Sequence, residues 1–182
     1  MAYTGKIYVI YDSQANAGAY AKLKEFKQSD GSNFDIYDGV KFLKSLDKVS
    51  DEELKEAIFA NMDLADAVIV LLSKNVKSMR KFIKWQIEYA VNKKMVLMSM
   101  NCNRVRSLDY DVTPTILKNR LSLFLPYDEK ALELALANWP ESFKAHVKNG
   151  DNHPVRYSMD VYYQLFAEEN LENTESAEDA NN

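Results

Sequence analysis

The chain has 182 residues, 47% of them apolar, which is enough for one domain with a sizeable core and a tail. Six of the 27 acidic residues and no basic residue lie in residues 168–182, so 21 acidic and 23 basic residues remain in the body. Cys102 is the single cysteine, which excludes an internal disulfide, and no metal-site spacing is present. No apolar run approaches the roughly 20 residues of a membrane span, and residues 1–6 lack the apolar core of a signal peptide. We therefore expect a cytoplasmic protein with no membrane or nucleic-acid partner.

The first part of the chain alternates strand and helix patterns. In chain order, the patterns predict a strand at residues 6–11, a helix at 15–27, a strand at 34–37 and a helix at 50–62. Asp12 and Ser13 follow the first strand and suit a turn and helix cap. Ser50 and Glu53 have the spacing of a capping box at the start of the second helix.

The most informative stretch is residues 66–98, which has the pattern of a βαβ unit. Two short apolar runs, 67–72 and 95–98, flank a helical segment with Met79, Phe82, Ile83, Ile87 and Ala90 on roughly one side. Strands joined by one helix run parallel, and ligands of open parallel sheets bind at the carboxyl ends of the strands. Residues 73–78 are therefore expected to line any pocket.

The remaining patterns complete an α/β fold. They predict an irregular segment at 101–115, a short helix at 116–119, a strand at 121–125 and a helix at 128–139 that stops before Pro140. The expected architecture is a flavodoxin-like, five-stranded parallel sheet flanked by helices. We divide the chain into an α/β domain at 1–140, a helical extension packed on it at 141–169, and an acidic, disordered tail at 170–182.

Four motifs in this order resemble the Toll/interleukin-1 receptor (TIR) domain, and more closely the TIR-like branch of Thoeris antiphage defence sensors. They are KIYVIYDS, FDIYDG, ELKEAIFANMDLADAVIVLLSKN and the S-x-x-x-F-I-x-x-Q-I pattern of residues 78–87. The resemblance covers about residues 6–139. It implies cleavage of NAD⁺ between nicotinamide and ribose, with NAD⁺ as substrate and no required cofactor or metal.

The resemblance also implies partners. A phage component would trigger the enzyme, and an ADP-ribose-derived messenger, either a cyclic isomer or a conjugate, would activate a separate effector. A homo-oligomer is compatible with this role. The alternative is a TIR-like module that binds nucleotide or self-associates without catalysis.

Gln86 stands where the family has its catalytic glutamate. A carboxylate can stabilise the positive charge that develops on the ribose, whereas glutamine has no charge and cannot act as a base. Three interpretations are open: an active enzyme changed from Glu to Gln, a natural pseudo-enzyme, or an enzyme in which Glu88 supplies the acid. Residues 86 and 88 differ by about 200° around a helix, which disfavours the third.

Other residues are candidates for contact with the nucleotide, and each has an ordinary structural alternative. The candidate substrate-binding residues are Tyr11, Asp12, Ser13, Asp38, Phe42, Ser73 and Phe82. The first three could equally be a strand end and a cap, and Asp38 suits a turn. Phe42 could belong to a loop over the pocket or pack as a staple, and Ser73 could be a plain loop serine.

Overall fold

The computed structural model describes residues 2–37, 50–77 and 81–167, which form an α/β fold around one parallel sheet. The strands are β1 (Lys6–Ile10), β2 (Asp35–Tyr37), β3 (Ala67–Leu72), β4 (Leu97–Asn101), β5 (Ser122–Pro126) and β6 (Pro154–Arg156). The helices are α1 (Ala17–Leu23), α2 (Asp51–Met62), α3 (Lys74–Lys77), α4 (Lys81–Asn92), α5 (Glu129–Asn149) and α6 (Met159–Leu165), with a 3₁₀ turn at Thr115–Leu117. The strand order is β2-β1-β3-β4-β5-β6, and all neighbouring strands are parallel. The predicted flavodoxin-like fold is confirmed, with one more strand than expected.

Strand β3 occupies the centre of the sheet because its sequence is apolar on both faces. All six residues of AVIVLL are fully buried, between β1 on one side and β4 on the other. A strand covered by helices on both faces needs such an uninterrupted apolar run. In the described part of the chain, no helix is long and apolar enough to cross a membrane.

Helix α4 packs on the sheet through residues spaced by three and four positions. Its buried residues are Ile83, Gln86, Ile87 and Ala90, so the predicted apolar side is largely present. Phe82 is an exception, since it lies at the border of the buried face and is 36% exposed. Gln86 also lies on this buried face, although it was not among the residues predicted there. Met79 lies outside the described residues.

The predicted helix end at Trp139 is wrong, because α5 continues through Pro140 to Asn149. Trp139 and Phe143 are both buried, and the indole of Trp139 donates a 2.9 Å hydrogen bond to the carbonyl of Leu97. Burial of two large aromatic side chains contributes roughly 1.5–3 kcal/mol each, which offsets the roughly 3 kcal/mol that a proline costs inside a helix. The helix ends instead at Gly150, whose φ of 79° supplies a left-handed cap.

The segment beyond residue 140 contains helices, as predicted, and also contributes a strand to the sheet. The proposed boundary at 140 falls inside α5, and residues Pro154–Arg156 form β6 beside β5. Tyr162 of α6 is buried against the body. The acidic tail, 170–182, lies outside the described residues.

Candidate functional site

Gln86 lies in the second turn of α4, which follows β3 through the short helix α3. Its side chain is buried, with 5% of the residue exposed. The hydroxyl of Tyr8, in the middle of β1, donates a 2.8 Å hydrogen bond to Oε1 of Gln86. Nε2 of Gln86 donates a 2.9 Å hydrogen bond to the backbone carbonyl of Phe82, one turn earlier. The amide is therefore directed into the interface between α4 and β1.

This arrangement suits an amide better than a carboxylate. Oε1 accepts from a hydroxyl while Nε2 donates to a carbonyl, so each end of Gln86 meets a partner of the opposite kind. A carboxylate in the same position would accept the hydrogen bond from the Tyr8 hydroxyl, but its second oxygen would face the carbonyl oxygen of Phe82. An ionised group there would be both buried and opposed by a carbonyl dipole, and both effects favour the neutral acid. A charged glutamate would therefore have to turn away from Tyr8.

A second group of polar side chains lies where β1, β3 and β4 end. Asn16 connects the three ends: its Oδ1 accepts a 2.9 Å hydrogen bond from the Ser73 hydroxyl, and its Nδ2 lies 3.6 Å from Sγ of Cys102. Asp12 is buried and accepts hydrogen bonds from the backbone N–H groups of Gln14 and Ala15, at 2.8 and 3.0 Å. These contacts fix three loops of the carboxyl edge relative to one another, at the place where ligands of such sheets bind.

Cys102 is half-buried and belongs to this edge without being a nucleophile. Burial raises the pKa of its thiol from 9.0 to about 11, and the hydrogen bond from Asn16 opposes this only partly. The thiol is therefore neutral at physiological pH, and a neutral thiol is a poor nucleophile. In the described structure, its sulfur accepts a hydrogen bond from the side-chain amide of Asn16.

The structure brings some of the predicted site residues together and separates others. Asp12 and Ser73 share the carboxyl edge, and Ser13 beside them is exposed. Tyr11 is buried and stacks on Tyr20 with ring centroids 4.2 Å apart, so its ring is a core element. Asp38 and Phe42 lie outside the described residues. Ser13 and the half-buried Ser73 are the members of the predicted set on this edge that remain accessible for a ligand.

Phe82 lies beside an aromatic and basic surface on the outside of α4. Its ring meets Trp85 edge-on at 5.6 Å, and the ammonium groups of Lys55 and Lys81 lie 5.3 and 4.9 Å from the Trp85 ring. Trp85 therefore packs between helices and lysine side chains. Phe82 could contact a ligand through its exposed part.

Glu88 does not share the environment of Gln86. Its carboxylate lies 3.7 Å from the ammonium of Lys84 on the outer side of α4, where the Glu88 side chain is 40% exposed. The helix turns the two residues in different directions, as the spacing predicts. This placement weighs against Glu88 as the catalytic acid.

Sequence reasoning missed Tyr8 and Asn16. Tyr8 had the appearance of an ordinary aromatic in a buried strand, and only the fold places its hydroxyl against residue 86. Asn16 lies just before α1 in the sequence, where a polar residue suits a helix start. In the parts of the chain that the structure describes, no group of three or more His, Cys, Asp or Glu side chains could hold a metal ion.

A comparison with protein families matches residues 8–107 to the model described as Thoeris protein ThsB, TIR-like domain. The matched range runs from Tyr8 through Gln86 to the loop after β4, and so includes the candidate site. Comparison with curated proteins finds no match. The family match supports a role in Thoeris antiphage defence. Because the match covers more than half of the chain, this protein belongs to the Thoeris ThsB TIR-like domain family.

Proposed function

We propose that this chain processes NAD⁺ in Thoeris antiphage signalling, with residue 86 as the catalytic position. The observation that carries the proposal is the placement of Gln86 on the helix after β3 in a chain of this family. The nucleotide would bind at the carboxyl edge near Ser13, Ser73 and the exposed part of Phe82. A cytoplasmic location fits this substrate.

The reaction breaks the C–N bond between nicotinamide and ribose. The electron pair of that bond leaves with nicotinamide, and positive charge develops at the ribose carbon. Water, a group of the ADP-ribose itself or the nucleophilic group of another small molecule then attacks that carbon, which gives ADP-ribose, a cyclic isomer or a conjugate, respectively. The product would activate an effector after a phage component triggers the protein. A carboxylate near the ribose stabilises the developing charge, and Gln86 lacks that charge. The chain with Gln86 should therefore turn over slowly.

The test compares the chain with Gln86 with its Gln86→Glu variant, each incubated with NAD⁺ and a lysate of phage-infected cells. Mass spectrometry then measures nicotinamide and ADP-ribose derivatives. Gln164→Glu, which adds the same charge at an exposed position of α6, is the matched control. We expect product from Gln86→Glu alone, with a rate at least about 100-fold above the other two proteins. Absence of product from all three proteins would contradict an NAD⁺-cleaving role.

The second candidate function is a TIR-like module that binds nucleotide or self-associates without cleaving it. It is favoured by the hydrogen bonds of Gln86, whose two ends are satisfied by Tyr8 and Phe82 in a manner that glutamate cannot reproduce. Under this proposal NAD⁺ binds equally to the chain with Gln86 and to Gln86→Glu, and neither cleaves it. Titration of both proteins with NAD⁺, followed by the product assay, distinguishes the two functions.

A further inference from the structure

We propose that a second pocket, at the ends of β4 and β5, binds a nucleotide through its phosphate groups. This arginine pocket is formed by Arg104, Arg106, Asp128, Tyr162, Tyr163 and Phe166 and has a volume of about 430 Å³. Small-molecule sites range from about 300 to about 1,000 Å³. The pocket involves neither Gln86 nor Ser73, so the proposal goes beyond NAD⁺ processing and does not depend on it.

Within the described part of the chain, the two arginines of the pocket are only weakly neutralised. Arg104, whose side chain is 71% exposed, has its Nη2 4.0 Å from a carboxylate oxygen of Asp128, the limit of an ion pair. Arg106 lies over the rings of Tyr162 and Phe166, at 5.1 and 5.5 Å, and forms no ion pair within the described residues. Two guanidinium groups beside one carboxylate leave an excess positive charge, which an anion would balance.

The loop that carries these arginines is held in place by hydrogen bonds from the end of β4. Asn101, fully buried at the end of β4, donates through Nδ2 to the carbonyls of Val105 and Ser107, at 2.8 and 2.9 Å. These two bonds bracket Arg106. Arg104 has a φ of 64°, a left-handed conformation that costs a non-glycine residue about 1 kcal/mol or more. A loop that is both clamped and strained presents its guanidinium groups in a fixed arrangement, as ligand recognition requires.

The tyrosines of α6 supply a donor and an aromatic surface. The hydroxyl of Tyr162 is buried and has no hydrogen-bond partner among the described residues, although a buried hydroxyl normally has one. Burial raises the pKa of Tyr162 to about 12, with the Arg106 charge opposing it, so the hydroxyl stays protonated and able to donate. Tyr163, which also lines the pocket, is 64% exposed and presents a ring on which a base can stack.

These features together identify the ligand class. Guanidinium groups match the oxygens of phosphate in pairs, and an exposed tyrosine beside them suits a planar base. A pocket of this size holds a mononucleotide, whereas a protein partner would need a far larger surface. The ligand expected from this chemistry is a nucleoside phosphate.

Calorimetric titration of the full chain with ADP, adenosine and inorganic phosphate at low salt tests the proposal. The variants are Arg104→Gln and Arg106→Gln, and the control is Arg120→Gln, an exposed arginine just before β5 at the opposite edge of the sheet. We expect ADP to bind more tightly than adenosine, and either pocket substitution to weaken ADP binding at least about tenfold. Arg120→Gln should leave ADP binding unchanged.

Two results would overturn the proposal. ADP binding that is equal in the unsubstituted chain and both pocket variants would place the nucleotide elsewhere, including at the carboxyl ends of β1 and β3. An equal loss in Arg120→Gln would show a general effect of charge. Thermal unfolding of each variant verifies that it folds. Arg106→Lys keeps the positive charge but loses the planar guanidinium donors, so its ADP affinity should lie between those of the unsubstituted chain and Arg106→Gln. Tyr163→Ala should weaken ADP binding without affecting phosphate, and an unchanged ADP affinity would overturn the nucleotide assignment.

Discussion

The hydroxyl of Tyr8 in β1 and the side-chain amide of Gln86 in α4 form a buried 2.8 Å hydrogen bond across the interface between the sheet and the helix. Residue 86 is the position that we propose as catalytic, and here its polar group is part of the interior. The same bond that stabilises α4 on β1 therefore holds the position in an inward orientation. Whether residue 86 acts on a ligand depends on how easily this contact opens.

Removal of the Tyr8 hydroxyl should destabilise the protein. In Tyr8→Phe, Oε1 of Gln86 loses its donor in a buried place, which costs about 1–3 kcal/mol of the free energy of unfolding. Urea unfolding followed by circular dichroism measures this difference. Tyr157→Phe is the control, because the buried hydroxyl of Tyr157 has no hydrogen-bond partner in residues 2–37, 50–77 and 81–167, and its removal should be neutral or slightly stabilising. Equal effects of the two substitutions would mean that the Tyr8–Gln86 bond contributes no net stability.

A glutamate at position 86 should make stability depend on pH. Burial raises the pKa of a carboxyl in the folded state, so folding favours its protonated form. The Gln86→Glu protein should then be most stable below the unfolded-state pKa of about 4.3, and should lose stability as the pH rises through the higher folded-state value. Urea unfolding of the variant and of the chain with Gln86, from about pH 5 to about pH 8, gives the difference in their free energies of unfolding. This difference should grow by roughly 1–3 kcal/mol as the pH rises.

The exposed Gln164→Glu change is the control for this pH series and should show no such growth. A constant difference in unfolding free energy between Gln86→Glu and the chain with Gln86 would indicate that the new carboxylate has turned outward into solvent. That outcome would contradict the inward glutamate expected for the protein without nucleotide. Under the proposed NAD⁺ cleavage, the carboxylate turns outward only when the nucleotide binds.

The central part of the fold was predictable because its signals are local and strong. The AVIVLL run gave β3 with its correct bounds, and Ser50 with Glu53 forms the predicted capping box. β6 was missed because three residues, Pro154–Arg156, are too few to show a strand pattern and pair only because β5 has a free edge. The end of α5 was misplaced because burial of Trp139 and Phe143 outweighs the local effect of Pro140.

The candidate site was predictable only in part, because its geometry depends on contacts between distant residues. The resemblance of residues 78–87 to the family motif singled out residue 86, and the helical pattern placed it on α4. Its partner Tyr8 is 78 positions away, and Asn16 meets Ser73 from 57 positions away, so neither contact has a local signal. The burial of Tyr11 against Tyr20 likewise depends on how α1 packs, which a strand-end pattern does not show.

The thiol of Cys102 should react slowly until the pH is high. Burial raises its pKa to about 11, so the reactive thiolate forms only above about pH 9 to 10. Alkylation by iodoacetamide, followed by mass spectrometry, should accelerate up to about pH 11, whereas the urea-unfolded chain should follow a pKa of about 8.5. Because the folded pKa is the higher one, the stability from the neutral thiol should fall between about pH 9 and 11. Matching alkylation profiles for folded and unfolded chains would contradict this burial.

Substitution of Asn101 by aspartate should destabilise the fold much more than the same change at Asn103. Nδ2 of Asn101 donates to two carbonyls from a fully buried position, and a carboxylate there would face both carbonyls without a proton to donate. Aspartate has nearly the same shape, but it replaces two buried hydrogen bonds by repulsion between oxygens. The free energy of unfolding, measured with urea at neutral pH, should fall by about 2–5 kcal/mol. Asn103→Asp also loses a hydrogen bond, to Asp109, but that bond is exposed, so its cost should be below about 1 kcal/mol. Equal costs at the two positions would show that the loop after β4 is not held by Asn101, and would remove the fixed base on which Arg104 and Arg106 are presented.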